Sequence, residues 1–285
     1  MRMSIRARRA LAALAASAVI VSGTLLSTSA AHAVALPPDD VRVMAALGDS
    51  ITQGTMTCSS LINCPVNSWS TGTTTSVKSH LLRLRATAAP DNLVGYNDAV
   101  AGALSATLND QAKKAVTQGA QYVTIEIGAN DACTKTVGAM TPTATFKSNV
   151  TAALTTLTAN GATRQIFVAS VPNLNWMYEV NKTSSSARFA WALFGTCQSL
   201  LASPTSTKDA DVKRRADVQK RVTEYNTALA EACAGFPTVC RYDGGAVFAY
   251  KFAKSDISTR DYFHPSLAGQ ALLANITWPL TQWAS

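Results

Sequence analysis

The segment Gly48-Asp49-Ser50 ends an apolar run, VRVMAAL, at residues 41–47. A glycine, an acid and a hydroxyl side chain directly after a buried strand are typical of a tight turn. The same arrangement can present a serine as a nucleophile, but a serine hydroxyl reacts only when a neighbouring base takes its proton. If Ser50 is catalytic, the rest of the sequence must supply that base.

His264 is the strongest candidate for the base, in the segment DYFHPS. Asp261 precedes it by three residues, and this spacing in a turn can bring the carboxylate to Nδ1 while Nε2 faces a serine. The alternative is that Asp261 and His264 only cap the final helix. His80 lies among leucines in SVKSHLLRLR and is interpreted as a surface or helix-face histidine.

Three groups could stabilise the negative charge that develops on a substrate carbonyl oxygen. Asn130, in GAND at 128–131, has an amide that can donate a hydrogen bond. Gly102 could present its backbone N–H at close range because it lacks a side chain, and the Ser50 N–H is the third candidate. Taken singly, Gly102 and Asn130 are also ordinary turn or capping residues. Asp49 is interpreted as an anchor of its turn.

Apolar runs alternate with amphipathic segments along the chain. We predict strands at 41–47, 92–100, 121–128, 164–171 and 239–243, and helices at 74–86, 104–118, 143–159, 209–234 and 265–283. This alternation predicts a parallel sheet with helices on both faces. Because ligands bind beyond the carboxyl ends of the strands in such sheets, Ser50, Gly102 and Asn130 should lie at one edge.

Two segments interrupt the alternation. Residues 55–73 are polar and contain two cysteines, and residues 172–208 are rich in bulky apolar side chains. The second segment could form a wall that binds an acyl chain. Its helical spacing at ARFAWALF fits core packing as well.

In chain order, the motifs resemble those of the SGNH, or GDSL, hydrolase family. Ser50, Gly102, Asn130 and His264 match the four residues that name the family, and the resemblance covers about residues 41–280. AALGDS, SWSTG, IGANDAC and DYFHPS resemble the phospholipase-B-like branch and secreted actinobacterial lipases and esterases. No G-x-S-x-G motif occurs, which excludes the usual α/β-hydrolase elbow.

The resemblance implies a flavodoxin-like three-layer α/β/α sandwich with a central parallel sheet. It implies a Ser–His–Asp ester hydrolase that needs no metal or other cofactor, with Ser50 as nucleophile, His264 as base and Asp261 as its orienter. Ser50, Gly102 and Asn130 would form the oxyanion hole. Some secreted members orient the histidine through a backbone carbonyl, so either group could act on His264.

The substrate is less defined than the chemistry. Lipid acyl esters are the favoured substrates, as in lipases, esterases and phospholipases. A carbohydrate acetyl esterase of the same fold is the alternative, and a non-catalytic secreted binding protein is a third hypothesis. The third hypothesis predicts a broken serine, asparagine or histidine, and none is broken here.

The first 33 residues have the pattern of a secretory signal peptide. Four arginines precede an apolar core, and AHA at 31–33 is a small-x-small cleavage site. Residues 34–285 would then form a single hydrolase domain that is secreted and extracellular. No second apolar run is long enough to span a bilayer.

The predicted mature chain is mildly basic. Four of the 25 lysines and arginines lie in the signal segment and none of the 17 acids does, so 21 basic side chains face 17 acidic ones. Such a charge is compatible with a lipid or membrane surface. No aromatic-basic stripe indicates nucleic acid, and we expect a monomer.

The even number of cysteines predicts disulfides in an exported chain. The six are Cys58, Cys64, Cys133, Cys197, Cys233 and Cys240. Fifteen pairings are possible. The two short separations favour Cys58–Cys64 and Cys233–Cys240, which leaves Cys133–Cys197. A metal site is poorly supported because no C-x-x-C pair occurs and few histidines remain.

Overall fold

A parallel β-sheet forms the centre of the molecule. The structure is a computed structural model that describes residues 36–87 and 92–283. In those ranges the strands are β1 (Val43–Gly48), β2 (Val94–Asn97), β3 (Tyr122–Glu126), β4 (Gln165–Val168) and β5 (Cys240–Tyr242). They pair in the order β2-β1-β3-β4-β5, all parallel. This flavodoxin-like order confirms the predicted fold class.

Helices cover both faces of the sheet. They are α1 (His80–Thr87), α2 (Leu108–Thr117), α3 (Ala129–Ala132), α4 (Thr143–Thr158), α5 (Leu174–Asn181), α6 (Ser185–Phe194), α7 (Gln198–Leu201), α8 (Asp209–Ala234), α9 (Ala246–Ala249) and α10 (Leu267–Thr277). α2 packs against α4, and α4 packs against α8. On the other face, Tyr122 of β3 contacts α1 and Thr124 contacts Ser70. All five β3 residues are buried, as expected for a strand covered on both faces.

Several elements are shorter than predicted. α1 begins at His80 rather than near residue 74, because residues 75–77 form turns and Ser79 Oγ donates to the Gly72 carbonyl at 2.6 Å. β2 ends at Asn97 because the N–H groups of Asp98 and Ala99 both bond the Ala46 carbonyl, which bends the chain away from the strand. α10 ends at Thr277, and a 3₁₀ turn containing Pro279 follows it.

His80 is fully buried, so the prediction of a surface or helix-face histidine is wrong. Its Nε2 lies 2.7 Å from Thr277 Oγ1, and its Nδ1 lies 2.8 Å from the Tyr122 hydroxyl. Because the Thr277 hydroxyl donates to the Leu273 carbonyl, it accepts from His80 Nε2–H, and Nδ1 accepts from Tyr122. Burial lowers the pKa of His80 to about 3, with a smaller contribution from Arg83. The imidazole is therefore neutral and joins β3, α1 and α10.

The disulfides are Cys58–Cys64, Cys133–Cys197 and Cys233–Cys240. The longest link, Cys133–Cys197, connects the end of α3 to the start of α7. The predicted signal peptide lies outside the described residues and stays a prediction. Within the described residues, no helix is long and apolar enough to cross a membrane.

Candidate active site

Ser50 lies in a sharp turn at the carboxyl end of β1. Gly48 has φ +143°, and a Cβ there would lie 2.0 Å from the Glu126 carbonyl oxygen, so only glycine fits. Asp49 Oδ1 accepts the Ile51 N–H at 2.9 Å, which agrees with its interpretation as a turn anchor. The residues after Ser50 form turns and not a helix.

The fold brings His264 to Ser50 across 214 residues of sequence. His264 Nε2 lies 2.8 Å from Ser50 Oγ. On the other side of the ring, Nδ1 bonds Asp261 Oδ2, so a carboxylate and not a backbone carbonyl orients the imidazole. Asp261 Oδ1 accepts the N–H groups of Phe263 and His264, both at 3.1 Å.

Asp261 remains ionised despite its burial. Burial acts to raise the pKa of its carboxyl, but the hydrogen bond and charge of His264 and the two backbone N–H groups outweigh this effect. The net result is a pKa below the usual value. The ionised carboxylate therefore holds the proton on Nδ1 and leaves Nε2 to accept the Ser50 hydroxyl hydrogen.

The loop that carries Asp261 and His264 is firmly held. The Ser258 N–H donates to the His264 carbonyl at 2.8 Å, and the Tyr262 N–H donates to the Ser258 carbonyl at 2.8 Å. Tyr262 has φ +56°, a left-handed conformation that costs free energy in a residue other than glycine. The Trp191 indole N–H donates to the Tyr262 carbonyl at 3.3 Å. These bonds keep His264 facing the turn after β1.

Gly102 and Asn130 lie at the same sheet edge as Ser50. The Val100 N–H donates to the Gly48 carbonyl at 3.1 Å, which docks the loop after β2 on the end of β1. Asn130, in α3, donates one amide hydrogen to the Ala103 carbonyl at 3.1 Å. An amide nitrogen carries two hydrogens, so the other can donate to a substrate oxygen. Gly102 has φ +79°, and the space where a Cβ would lie is open.

Two glutamines that the sequence did not single out hold the Ser50 turn. Gln111 accepts the Gly48 N–H at 2.7 Å and donates to the Gly48 carbonyl at 3.0 Å. Gln270 donates to the Ile51 carbonyl at 2.7 Å and accepts the Trp69 N–H at 2.8 Å. Each glutamine is in a helix, where this residue type is usually exposed, so the sequence alone carries no signal for this role.

An apolar groove borders the His264 loop. It has a volume of about 500 Å³, and its lining includes Phe189, Leu193 and Phe194 of α6 together with Arg260 and Tyr262. Phe189 is 69% exposed and Leu193 63% exposed, whereas Ala187, Ala190 and Trp191 of the same helix are buried. Helix α6 therefore packs into the core with one face and presents the other to solvent.

A second groove, of about 560 Å³, borders the loop that contains Gly102. Val100 and Leu104 in its lining are 56% and 40% exposed. In the described residues, no group of three or more His, Cys, Asp or Glu side chains is arranged to hold a metal ion. At this sheet edge the structure brings together the Ser50 hydroxyl, the His264 imidazole and the Asn130 amide.

The family comparison agrees with this geometry. A sequence model of the GDSL-like lipase/acylhydrolase family matches residues 46–272. A search of curated proteins found no match.

Several solved structures are similar to this chain, and the two described first share its fold. A GDSL-like lipase from Parabacteroides merdae, described as putative, is 17% identical, with 84% of this chain and 94% of that chain covered and a TM-score of 0.51. A catalytic mutant of an acetylxylan esterase from Geobacillus stearothermophilus is 13% identical, with coverages of 82% and 91% and a TM-score of 0.50. An extracellular lipase from Streptomyces rimosus is 17% identical, with coverages of 83% and 100% and a TM-score of 0.46.

Proposed function

The chain belongs to the GDSL-like lipase/acylhydrolase family and is an ester hydrolase, and we propose that it cleaves lipid acyl esters through an acyl-enzyme on Ser50. The observation that carries this proposal is the continuous set of hydrogen bonds from Asp261 through His264 to Ser50 Oγ, with 2.8 Å between His264 Nε2 and Ser50 Oγ. It is the arrangement that activates a serine for acyl transfer.

The reaction has two halves. Ser50 Oγ attacks the ester carbonyl while His264 Nε2 takes the hydroxyl proton, and the carbonyl oxygen becomes an oxyanion held by Gly102, Asn130 and the Ser50 N–H. His264 then gives its proton to the leaving alcohol as the C–O bond breaks. A water molecule attacks the acyl-enzyme with His264 again as base, and the carboxylic acid leaves as the Ser50 hydroxyl re-forms.

The role of Ser50 is tested by covalent labelling. A fluorophosphonate probe should modify Ser50, because phosphonylation uses the same activated hydroxyl and oxyanion donors. Ser50→Ala should abolish both labelling and hydrolysis of p-nitrophenyl butyrate. Ser68→Ala, which removes another buried hydroxyl, is the matched control. Labelling at a different serine would refute the assignment.

The groove along α6 supports an acyl chain as the group that the enzyme selects. Its exposed apolar side chains share the groove with Arg260 and Tyr262 of the loop that carries His264, and each buried methylene of a bound chain contributes about 0.8 kcal/mol. Arg260, in the same lining, supplies a positive charge that suits an anionic headgroup. Acetylated carbohydrates would use neither the apolar wall nor the charge.

Chain-length selectivity tests the substrate class. We expect kcat/KM to rise from nitrophenyl acetate to nitrophenyl octanoate, and Phe189→Ser with Leu193→Ser should lower the octanoate-to-acetate ratio at least tenfold. Val212→Ser on α8, another exposed apolar position, should leave that ratio unchanged. A wild-type preference for acetyl esters, together with release of acetate from acetylated xylan, would favour the carbohydrate esterase instead.

We also propose that residues 1–33 are a signal peptide and that the enzyme is secreted as a monomer. Three disulfides support an oxidising destination. Amino-terminal sequencing of the protein from culture medium should begin at Val34. A retained amino terminus in the mature protein would contradict this proposal.

A further inference from the structure

Two buried carboxyl groups lie beside the turn that carries Ser50. Asp49 belongs to that turn, and Glu126 ends β3 directly opposite Gly48 in the strand register. Both side chains are fully buried. Asp49 Oδ1 accepts the Ile51 N–H. In contrast, Asp49 Oδ2 and both carboxyl oxygens of Glu126 accept no hydrogen bond from an N–H group or from a Ser, Thr or Tyr hydroxyl of the described residues.

Other buried acids at this sheet edge do have donors. Asp131 accepts the Ser105 N–H at 2.9 Å and the Ser105 hydroxyl at 2.7 Å. Asp243 accepts the Ser170 hydroxyl at 2.7 Å and the Gly245 N–H at 2.8 Å. Glu126 has no such hydrogen-bond donors, so its surroundings differ from those of Asp131 and Asp243.

A buried carboxyl group without donors keeps a proton, because an unpaired buried charge is costly. Burial raises the pKa of Glu126 well above its usual value, and the neighbouring charge of Asp49 adds to the effect. Burial also raises the pKa of Asp49, to about 7. The other titratable groups that act on the pair are Asp131, Asp243 and His264. At neutral pH the pair thus holds at least one proton, on Glu126.

We propose that Glu126 is a positioning residue for the nucleophile: as a neutral acid it donates a hydrogen bond to Asp49 Oδ2 and holds the turn in which Ser50 faces His264. This inference rests on the proposed role of Ser50. Glu126 is placed by the central strand β3, and Asp49 is bonded to the backbone of the turn. The bond therefore joins the central strand of the sheet to the turn that carries Ser50.

Loss of the proton between Glu126 and Asp49 replaces the proposed hydrogen bond with electrostatic repulsion. When base removes the proton from Glu126 to solvent, two carboxylates face each other in a buried space and repel. Asp49 then moves away from Glu126 and takes the Ser50 turn with it. The proton takes no part in ester cleavage, so Glu126 acts only through the position of Ser50.

The experiment measures the rate of Ser50 labelling by a fluorophosphonate between pH 6 and 10. At pH 7, Glu126→Gln should label within about threefold of the wild-type rate, because the amide keeps the shape and a donor. Glu126→Leu has similar size without a donor and should label at least tenfold more slowly. The wild-type rate should fall at alkaline pH, and the rate of Glu126→Gln should not fall there because an amide does not ionise.

Glu231→Gln is the matched control, since Glu231 is an exposed carboxylate on α8 paired with Lys147. Its pH profile should coincide with that of the wild type. Thermal unfolding checks that each variant is folded. If Glu126→Leu does not fold, the pH profile of labelling in Glu126→Gln, compared with that of the wild type, tests the proposal.

Three results would overturn the inference. The first is equal labelling of folded Glu126→Leu and Glu126→Gln at pH 7, and the second is a loss of more than tenfold in folded Glu126→Gln. The third is an identical pH profile in the wild type and Glu126→Gln, including one without any alkaline fall. If the wild type is not labelled at Ser50 at any pH, the proposed function itself fails.

Discussion

Hydrogen bonds on both ring nitrogens of His264 determine what this side chain can do. The Asp261 carboxylate on Nδ1 keeps that nitrogen protonated, so Nε2 carries the lone pair that faces Ser50 Oγ. In the proposed reaction Nε2 takes the serine proton, and the imidazolium forms beside an ionised carboxylate whose pKa is lowered. The negative charge of Asp261 is therefore in place to stabilise the positive imidazolium of His264 before substrate binds.

At the residue scale, Asn130 gives the sharpest test of the oxyanion hole. Asn130→Ala should lower kcat by the equivalent of about 3 kcal/mol, because one donor to the oxyanion is lost while substrate binding is little changed. The measurement is kcat and KM for a nitrophenyl ester. An unchanged kcat would remove Asn130 from the site.

The same substitution also removes the bond to the Ala103 carbonyl, so thermal unfolding must be measured alongside. Asn149→Ala is the matched control, since it loses an amide bond to Ser105 Oγ in the neighbouring loop. Its kcat should stay close to the wild-type value.

At the scale of secondary-structure elements, buried polar side chains hold the sheet edge together. Gln111 and Gln270 bond the turn after β1 from α2 and α10, and Asp131 bonds the loop after β2 from α3. Buried hydrogen bonds of this kind specify one arrangement because leaving any partner unpaired is costly. The orientation of Ser50 thus depends on helices far from it in sequence.

The buried imidazole of His80 should make the free energy of unfolding depend on pH. Because the folded pKa of about 3 is below the ordinary value of 6.5, the unfolded chain binds the extra proton between these pH values. The free energy of unfolding should therefore fall as pH falls from about 6.5 towards 3, by up to about 1.4 kcal/mol per pH unit from this group.

Urea unfolding of the wild type and His80→Gln at several pH values measures this contribution. The variant should be less stable at pH 7, because the bonds to Tyr122 and Thr277 are disturbed. The difference between the two proteins should shrink as pH falls, since glutamine takes up no proton. A difference that is constant with pH would contradict a neutral buried imidazole.

At the scale of the whole molecule, the long disulfide constrains the unfolded chain more than the short ones do. Cys133–Cys197 spans 64 residues, against 6 and 7 for the others. In the chain-entropy model, Cys133→Ser with Cys197→Ser should lower the free energy of unfolding by about 4 kcal/mol, and Cys233→Ser with Cys240→Ser by about 2 kcal/mol.

Denaturant unfolding of the two double variants under oxidising conditions measures which of them loses more free energy of unfolding. The link also ties α7 to α3, the helix that carries Asn130. The variant without the Cys133–Cys197 disulfide should therefore have a lower kcat as well as a lower stability. Equal stability losses in the two variants would show that loop length does not dominate.

Much of this architecture could be predicted from local patterns in the sequence. Short apolar runs rich in β-branched residues indicated the strands, and the 26-residue helix α8 has the predicted bounds. Turns were predicted at Gly48 and considered at Gly102, and both glycines have a positive φ. Such features are local because they depend on the period of apolar residues and on the allowed backbone angles.

Local patterns do not specify contacts between distant segments, and only the tertiary structure decided those. It buried His80 in a set of hydrogen bonds, buried Glu126 opposite Gly48 in the strand register and brought Gln111 and Gln270 to the turn that carries Ser50. The one local sign of Glu126 in the sequence is an acid inside the apolar run YVTIEIG. Burial and the supply of hydrogen-bond donors are properties of the packed molecule, because each depends on what the rest of the chain places beside a side chain.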